Sequence, residues 1–259
     1  MEDIQFHQYV SGVEIFYTNQ CESTQTLCVS LVENKLKSLQ TKTFHLPIVS
    51  IFTCFQTNGR GQGSHQWKSE PGKNLAFTIA IPLTDHIDFV VLNKSLTLSV
   101  CEFIQSFLEE KVVIKWPNDI LCNYKKIAGL LFQVQTIDHM KYLVFGIGLN
   151  VEQTNWLPEL PNAASLKDFG VSNLNFFNLA ESLCKSIVSG LDSVSNPFIH
   201  QLFQQKLMNL NQSIRIQHAD NQQISEVTLL DVDQFGRILV SNENGEKVCY
   251  HHGQVFLRI

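Results

Sequence analysis

The sequence predicts an α+β protein in two parts, and three observations carry that prediction. Between residues 48 and 150, apolar β-type runs come in pairs joined by polar turns. Amphipathic segments of helical period alternate with them, and beyond residue 211 only short β runs separated by turn signals remain. A chain of 259 residues that is 44% hydrophobic can bury one large core and a small second one, placed at 1–210 and 211–259. The larger part is expected to be a mixed, largely antiparallel sheet with flanking helices, and the smaller a β-barrel.

After a first strand, Ser23 is placed to cap a helix running to about Leu36, with Leu27, Leu31 and Val32 as its apolar face. Ile48–Phe55 (IVSIFTCF) and Leu75–Ile81 (LAFTIAI) are rich in apolar, β-branched and aromatic residues and read as buried strands. Asp88–Glu110 carries Val91, Leu92, Leu96, Val100, Phe103, Ile104 and Phe107 near helical spacing, which predicts a longer helix against one sheet face. Val112–Trp116 and Ile127–Phe132 read as strands around a turn begun by Pro117 and Asn118. Tyr142–Gly148 is a strand running into GIGLN, 155–171 a connection, and Phe176–Leu191 and Pro197–Leu210 the last helices. IRIQ, VTLLDVDQFGRILVS, ENGEKVCY and VFLRI, with turns at Asp233–Gly236 and Asn244-Gly245, make up the small barrel.

Composition narrows the functional classes. Net charge is −5 and the pI is near 6.0, with no basic stripe, so nucleic acid is not an expected partner. The N-terminus has no basic region followed by an apolar core, and no run approaches the roughly 18 apolar residues that span a bilayer, so a cytoplasmic protein without membrane association is expected. Seven scattered cysteines form neither a CxxC pair nor an even disulfide framework and are read as reduced and mostly buried. Cys249, His251 and His252 lie close in sequence, but adjacent strand residues face opposite sides, which argues against zinc.

Two segments carry chemistry. Gln56–Leu75 (QTNGRGQGSHQWKSEPGKNL) places four glycines, one arginine and two lysines in a polar loop between apolar strands. Glycine at 59, 61 and 63 permits positive φ and lets backbone N–H groups converge on an anion, while Arg60 adds a bidentate positive charge. The competing reading is a hairpin connection whose glycines only relieve strain. Val112–Gln133 (VVIKWPNDILCNYKKIAGLLFQ) puts Lys115, Asp119, Lys125 and Lys126 near strand ends, where a sheet holds charges rigidly toward a cleft. Lys125 reads as a solvated turn residue. Lys126 begins an apolar run and could point inward.

Taken in order, these segments resemble the biotin protein ligases, which attach biotin to carrier domains of biotin-dependent carboxylases. GRGQGSHQW is similar to that family's GRGRxxRxW loop, KWPNDI followed by KKIAGLL to its second signature, and GIGLN at 146–150 to its third. Glu22-Ser23-Thr24-Gln25 resembles the usual Asp-Ser-Thr-Asn. The resemblance implies a class II synthetase or biotinyl/lipoyl-ligase-like catalytic domain followed by an SH3-like barrel. It also implies ATP and biotin as substrates, Mg2+, a carrier protein or domain as partner, and biotinyl-5'-AMP as intermediate.

Residue by residue, the resemblance implies that Ser23, Thr24 and Gln56 hold the ureido ring, with Gly59, Arg60, Gly61, Gln62, Lys126 and Gly129 completing the biotin site. Arg60, Gln62, Trp67, Lys115, Asn118, Asp119, Lys126 and Asn150 fall to the nucleotide, Arg60, Lys126 and Asp119 to catalysis, and Asp119 to the magnesium ion. Plain structural roles stay open beside these: N-capping for Ser23, turn-capping for Asp119, turn formation for Asn118 and Asn150, and loop anchoring for Trp67. Trp116 is assigned to the core.

Gln62-Gly63-Ser64-His65 departs from the Arg-Arg-Gly-Arg of well-known members, which implies fewer charges on the intermediate and weaker retention of it. The loop is expected to be disordered until ligand binds. No DNA-binding domain is expected before residue 20, and dimerisation is undecided. A lipoate or octanoate ligase or transferase and a non-catalytic biotin or nucleotide sensor remain as rivals. KWPNDI and the GRG loop with Gln56 favour biotin over the first, and intact Arg60, Asp119 and Lys126 favour an enzyme over the second.

Overall fold

The structure is a computed structural model that describes residues 3–38, 46–63, 65–84 and 87–258. An eight-stranded sheet forms the body, running from edge to edge as β1 (Gln5–Val10), β2 (Val13–Tyr17), β3 (Val49–Thr53), β6 (Asn74–Pro82), β10 (Met140–Asn150), β9 (Lys125–Ile137), β8 (Asp119–Cys122) and β7 (Val112–Lys115). β1 (Gln5–Val10) and β2 (Val13–Tyr17) form a hairpin through Ser11 and Gly12, both at positive φ, which matches the turn to strand twist. Sequence reading expected one strand here. The alternating QFHQYV and VEIFY around Ser-Gly were the available signal.

Helix α1 (Thr24–Ser38) carries the chain to β3 (Val49–Thr53), which lies parallel to β2, the sole parallel strand pair among the described residues. Its buried stripe is Thr24, Gln25, Cys28 and Val32, with Leu27 and Leu31 at the margin, so the apolar face is rotated from the expected one. The reason lies in the sheet. α1 sits over β3 and β6 (Asn74–Pro82), where a cysteine and small polar residues pack against Val49, Ile51 and Ala80.

A long hairpin of β9 (Lys125–Ile137) and β10 (Met140–Asn150) completes the sheet with β7 (Val112–Lys115) and β8 (Asp119–Cys122). The glycine loop folds into a separate two-stranded ribbon, β4 (Gly59–Arg60) with β5 (Gln66–Trp67). The loop is therefore paired across its ends, and Ser64 lies outside the described residues.

The opposite face is covered by α2 (Phe89–Gln105), α3 (Phe176–Asp192) and α4 (Ile199–Lys206). Asp88 caps α2 by accepting from the Val90 and Val91 amides. α2 stops short of the expected Glu110 because the Gln105 side chain donates to the Leu108 and Glu110 carbonyls and accepts from Val112, turning the chain into β7. α4 is shorter than the expected 197–210 because Leu207 is extended and bridges Ile114, with the Met208 amide donating to the Ile114 carbonyl.

The C-terminal part is a five-stranded antiparallel sheet, β14-β13-β12-β11-β15, of β11 (Ser213–His218), β12 (Ile224–Val232), β13 (Ile238–Ser241), β14 (Lys247–Tyr250) and β15 (Val255–Arg258). Its inward residues Ile216, Leu229, Ile238 and Val240 belong to the same continuous apolar core as α2 and the main sheet. The two parts thus share a core at their junction. No helix is long and apolar enough to cross a membrane among the described residues. No disulfide joins the seven cysteines; burial pushes the thiols of Cys28, Cys101 and Cys184 up to about 12.

Candidate active site

Pairing geometry builds the floor of the cleft. Across the sheet, Thr53 faces Ala76, Ala76 faces Gly148, Gly148 faces Gly129, Gly129 faces Asp119 and Asp119 faces Lys115. One rung therefore runs from small residues to charged ones. The next rung pairs Thr78 with Gly146 and Gly146 with Leu131. Because residues two apart share a face, Ala76, Thr78, Gly146, Gly148 and Gly129 form a low floor on one side of the sheet. The separation of the KKIAGLL and GIGLN motifs follows from this: Gly129 and Gly148 meet only if the hairpin closes at 137–140.

The indole of Trp67 lies on that floor. A Cβ at Gly148 would stand 2.4 Å from Trp67 Cε2, and one at Gly129 would stand 3.1 Å from Trp67 Cζ3. Gly59 and Gly61 serve the loop in the same manner, by close approach: their Cβ atoms would meet the Trp67 carbonyl oxygen at 2.5 Å and that of His65 at 3.0 Å. Gly63 and Gly72 have positive φ whereas Gly59 and Gly61 do not, and the Gly61 amide donates to the His65 carbonyl at 2.8 Å. The Gly61 amide is thus committed within the ribbon, and Gly59 and Gly61 let two backbones and an indole pack.

Lys126 reaches the cleft through a bulge. Ile120 pairs with Ala128 but Leu121 pairs with Lys126, so Ile127 is an extra residue on β9. Lys126 and Gly129 are an odd number apart and would otherwise face opposite sides; the bulge brings them together. The Lys126 ammonium lies 2.7 Å from Asp119 Oδ1 and 5.7 Å from the Trp67 ring centroid, while exposed Lys125 stays out. Burial, with Lys126 and Arg258 nearby, pushes the Lys115 ammonium down from its ordinary value, and Asp119 acts in the opposite sense.

At the other end, Gln56 Oε1 accepts from the Thr24 amide at 2.8 Å and from its hydroxyl at 3.0 Å, and Thr24 and Thr78 share a hydrogen bond at 2.8 Å. Ser23 precedes the first turn of α1, its carbonyl accepting from Leu27, and is buried against the same space. The enclosed volume is about 500 Å³. Among its lining residues three cations, Arg60, Lys115 and Lys126, face one carboxylate, Asp119. A cationic cleft in a protein of net charge −5 is suited to a polyanion.

Ser23, Thr24, Gln56, Arg60, Gly61, Gln62, Trp67, Lys115, Asn118, Asp119, Lys126 and Gly129 thus line one cavity. Two expected residues stand behind it. Gly59 is buried under Trp67, and Asn150 donates to the carbonyls of Lys126 and Ala164 at 3.2 and 2.9 Å, fixing the strand that carries Lys126. Asn118 lines the cleft with its amide NH2 tied to the Leu130 carbonyl at 2.5 Å. Trp116 is buried in the core as expected and also touches the cleft.

Sequence reading missed Gln25, whose Oε1 is buried without a partner, as is Trp67 Nε1. Each orphan costs about 1–3 kcal/mol unless a ligand supplies a partner. Gln25 was legible as the fourth residue of the ESTQ run. The wall formed by His252, Gly253 and Val255–Leu257 had no local signal, since it comes from the C-terminal sheet. Among the described residues no three His, Cys, Asp or Glu side chains gather in metal-binding geometry.

Several known proteins are similar in sequence to this chain. The chain is 34% identical over 169 residues to the bifunctional ligase/repressor BirA of Bacillus subtilis, covering 63% of this chain and 47% of that protein. It is 24% identical over 219 residues to a biotin–acetyl-CoA-carboxylase ligase of Mycobacterium tuberculosis, covering 80% and 78%. The chain spans about half the length of the BirA relatives it matches. Among solved structures, its fold is similar to biotin protein ligase from Aquifex aeolicus in complex with biotin and ATP, with TM-score 0.71, 22% identity, and 94% and 98% of the two chains covered. The corresponding values for the Leishmania major biotin protein ligase in complex with biotinyl-5-AMP are 0.61, 20%, 94% and 100%. The model of the Biotin/lipoate A/B protein ligase family matches residues 17–150, more than half the chain and the stretch that supplies the cleft floor, Gln56, Arg60 and the Lys126–Asp119 pair, and the chain belongs to that family.

Proposed function

We propose that this protein is an ATP-dependent biotin protein ligase. It activates biotin to biotinyl-5'-AMP with release of pyrophosphate and then transfers biotin to a lysine of a biotin carboxyl carrier domain of a carboxylase. The observation that carries the reading is the cleft's polarity: a hydrogen-bonded Thr24–Gln56 end, a floor of small residues and a cationic Arg60–Lys115–Lys126 end. The names of the Mycobacterium relative and of the Aquifex and Leishmania structures support it.

In the first step a biotin carboxylate oxygen attacks the α-phosphorus of ATP, and the bond from that phosphorus to the bridging oxygen breaks as pyrophosphate leaves. Bringing a carboxylate within 4 Å of one phosphate charge costs on the order of 4 kcal/mol at an effective dielectric near 20. Lys126, held by Asp119 and the bulge, and Arg60 on the ribbon offset that cost from fixed positions, so little reorganisation accompanies the reaction. Thr24, Ser23 and Gln56 offer donors and acceptors to the ureido ring. In the second step the carrier amine attacks the acyl carbon, the bond from that carbon to the bridging anhydride oxygen breaks and AMP departs with that oxygen, and Asp119 is the lining carboxylate available for the released proton.

The donor set suits a magnesium ion, because that ion takes one or two carboxylates and completes its shell with phosphates and water. Asp119 would hold it. When bound, the ion neutralises phosphate charge. Residues 1–210 would form the catalytic unit and 211–259 an appended sheet that completes the cleft, in a cytoplasmic enzyme.

The test is pyrophosphate release from ATP and magnesium with biotin or lipoate as acid. Release with biotin alone is the expected result. Release with lipoate alone would assign the cleft to the lipoate branch, and nucleotide binding without release would make it a sensor.

A further inference from the structure

A second cavity lies at the junction of α2, α4 and the β12–β13 turn, lined by Asp88, Lys94, His200, Asp231, Asp233 and Arg237 among others. Its polar groups are paired with one another, which marks a joint between the two parts of the fold. At its centre is Lys94, which is 5% exposed. Its Nζ lies 2.8 Å from the Val232 carbonyl, 3.2 Å from the Asp233 carbonyl and 2.9 Å from His200 Nδ1. An ammonium has three donors and no acceptor, so all three are used. The same logic fixes the His200 tautomer: Nδ1 must accept, so Nε2 carries the proton and donates to Asp231 at 3.1 Å.

The turn that Lys94 grips is itself rigid. Asp233 accepts from the Phe235 and Arg237 amides and pairs with the Arg237 guanidinium at 2.7 Å. On its far side the Gly236 carbonyl accepts from Trp116 Nε1 at 3.0 Å. Trp116 immediately precedes the cleft residues Pro117, Asn118 and Asp119, and β12 leads through β11 to β15, whose Val255–Leu257 wall the cleft. One stiff turn is thus held by Lys94 from below and by a cleft tryptophan from above.

We propose that Lys94 is a positioning residue for the cleft, clamping the 232–237 turn so that Trp116 and the C-terminal wall keep their place against the nucleotide end. The assignment of that end rests on the ligase reading. Lys94→Met keeps the helix and the aliphatic stem and removes the three donors.

Two readouts test the clamp. Hydrogen exchange in Lys94→Met is expected to speed up about 10-fold at 232–237 and 252–257, with β6 and β10 unchanged. The KM for ATP is expected to rise about 10-fold or more, with the KM for biotin within about twofold, because Thr24 and Gln56 stand on the main sheet. His200→Ala, at a half-exposed side chain, removes one of the three partners and should give the same pattern at about 3-fold. Unchanged exchange at the two segments in both variants would overturn the clamp. Uniform loosening of the whole sheet, or loosened segments with both KM values unchanged, would do so as well. If the wild type released no pyrophosphate, the ligase reading would fall while the exchange data still decided whether Lys94 holds the turn.

Discussion

Gly148→Ala isolates what the cleft floor is for. The added Cβ would fall 2.4 Å from Trp67 Cε2 and 2.6 Å from both Cδ2 and Cζ2, so the indole must move by about an ångström to restore ordinary contact. It has little room, because Gly129 lies beneath the other edge of the ring and the Trp67 carbonyl is packed on Gly59. Overpacking of this kind costs typically 1–3 kcal/mol, and about 2 kcal/mol corresponds to roughly a 30-fold loss if it is expressed in the activation step. Gly129→Ala provides the graded comparison. Its nearest atoms are Trp67 Cζ3 at 3.1 Å and the flexible end of Lys126 at 3.2 Å, so a shift of a few tenths of an ångström suffices, and a loss of about 3- to 5-fold is expected. Biotin-dependent pyrophosphate release, measured beside thermal unfolding of both variants, reads the two effects. Wild-type rate and Tm in Gly148→Ala, or a larger loss in Gly129→Ala than in Gly148→Ala, would refute the claim that these glycines exist to seat the indole.

Other perturbations separate the two ends of the cleft and the buried thiols. Lys126→Ala breaks the pair with Asp119 and should lower pyrophosphate release by about 100-fold or more. Because both side chains are partly exposed, its Tm should move by no more than about 4 °C. Gln56→Ala leaves the Thr24 amide and hydroxyl without their acceptor and should raise the KM for biotin by about 5- to 150-fold, the equivalent of 1–3 kcal/mol, with the KM for ATP little changed; an ATP-selective effect would contradict the assignment. Burial that raises the Cys28, Cys101 and Cys184 thiols to about 12 keeps them protonated as pH rises to 8, with about one thiolate in ten thousand. Iodoacetamide at pH 8 should therefore leave these three unmodified in the folded protein and alkylate them on unfolding, as peptide mass spectrometry would show.

What the sequence revealed followed the range of the interactions involved. Strands such as LAFTIAI and VVIK were legible because burial and β-branching are local, and α3 was found almost to the residue from its periodic apolar face. Helix ends were less legible. α2 stops where the Gln105 side chain captures backbone groups of the following turn, and α4 where Ile114 captures the Met208 amide from a distant strand, neither of which propensity registers. The cleft was legible at motif level, yet roles within motifs were redistributed by pairing. Gly59 and Gly61 serve close approach with no positive φ, Asn150 ties the Lys126 strand, and Lys126 turns inward because of a bulge that no single-strand pattern encodes. The wall at 252–257 was invisible because only the shared core between the two sheets brings it to the site.

The central claim is that the Arg60–Lys126–Asp119 end of the cleft activates biotin for transfer to a carrier lysine. The most direct measurement is the intact mass of a purified biotin carboxyl carrier domain after incubation with this protein, biotin, ATP and magnesium. The expected result is the gain of one biotinyl group at a single lysine, dependent on ATP and abolished in Lys126→Ala. An unmodified carrier with the wild-type protein, or equal labelling by Lys126→Ala, would contradict it.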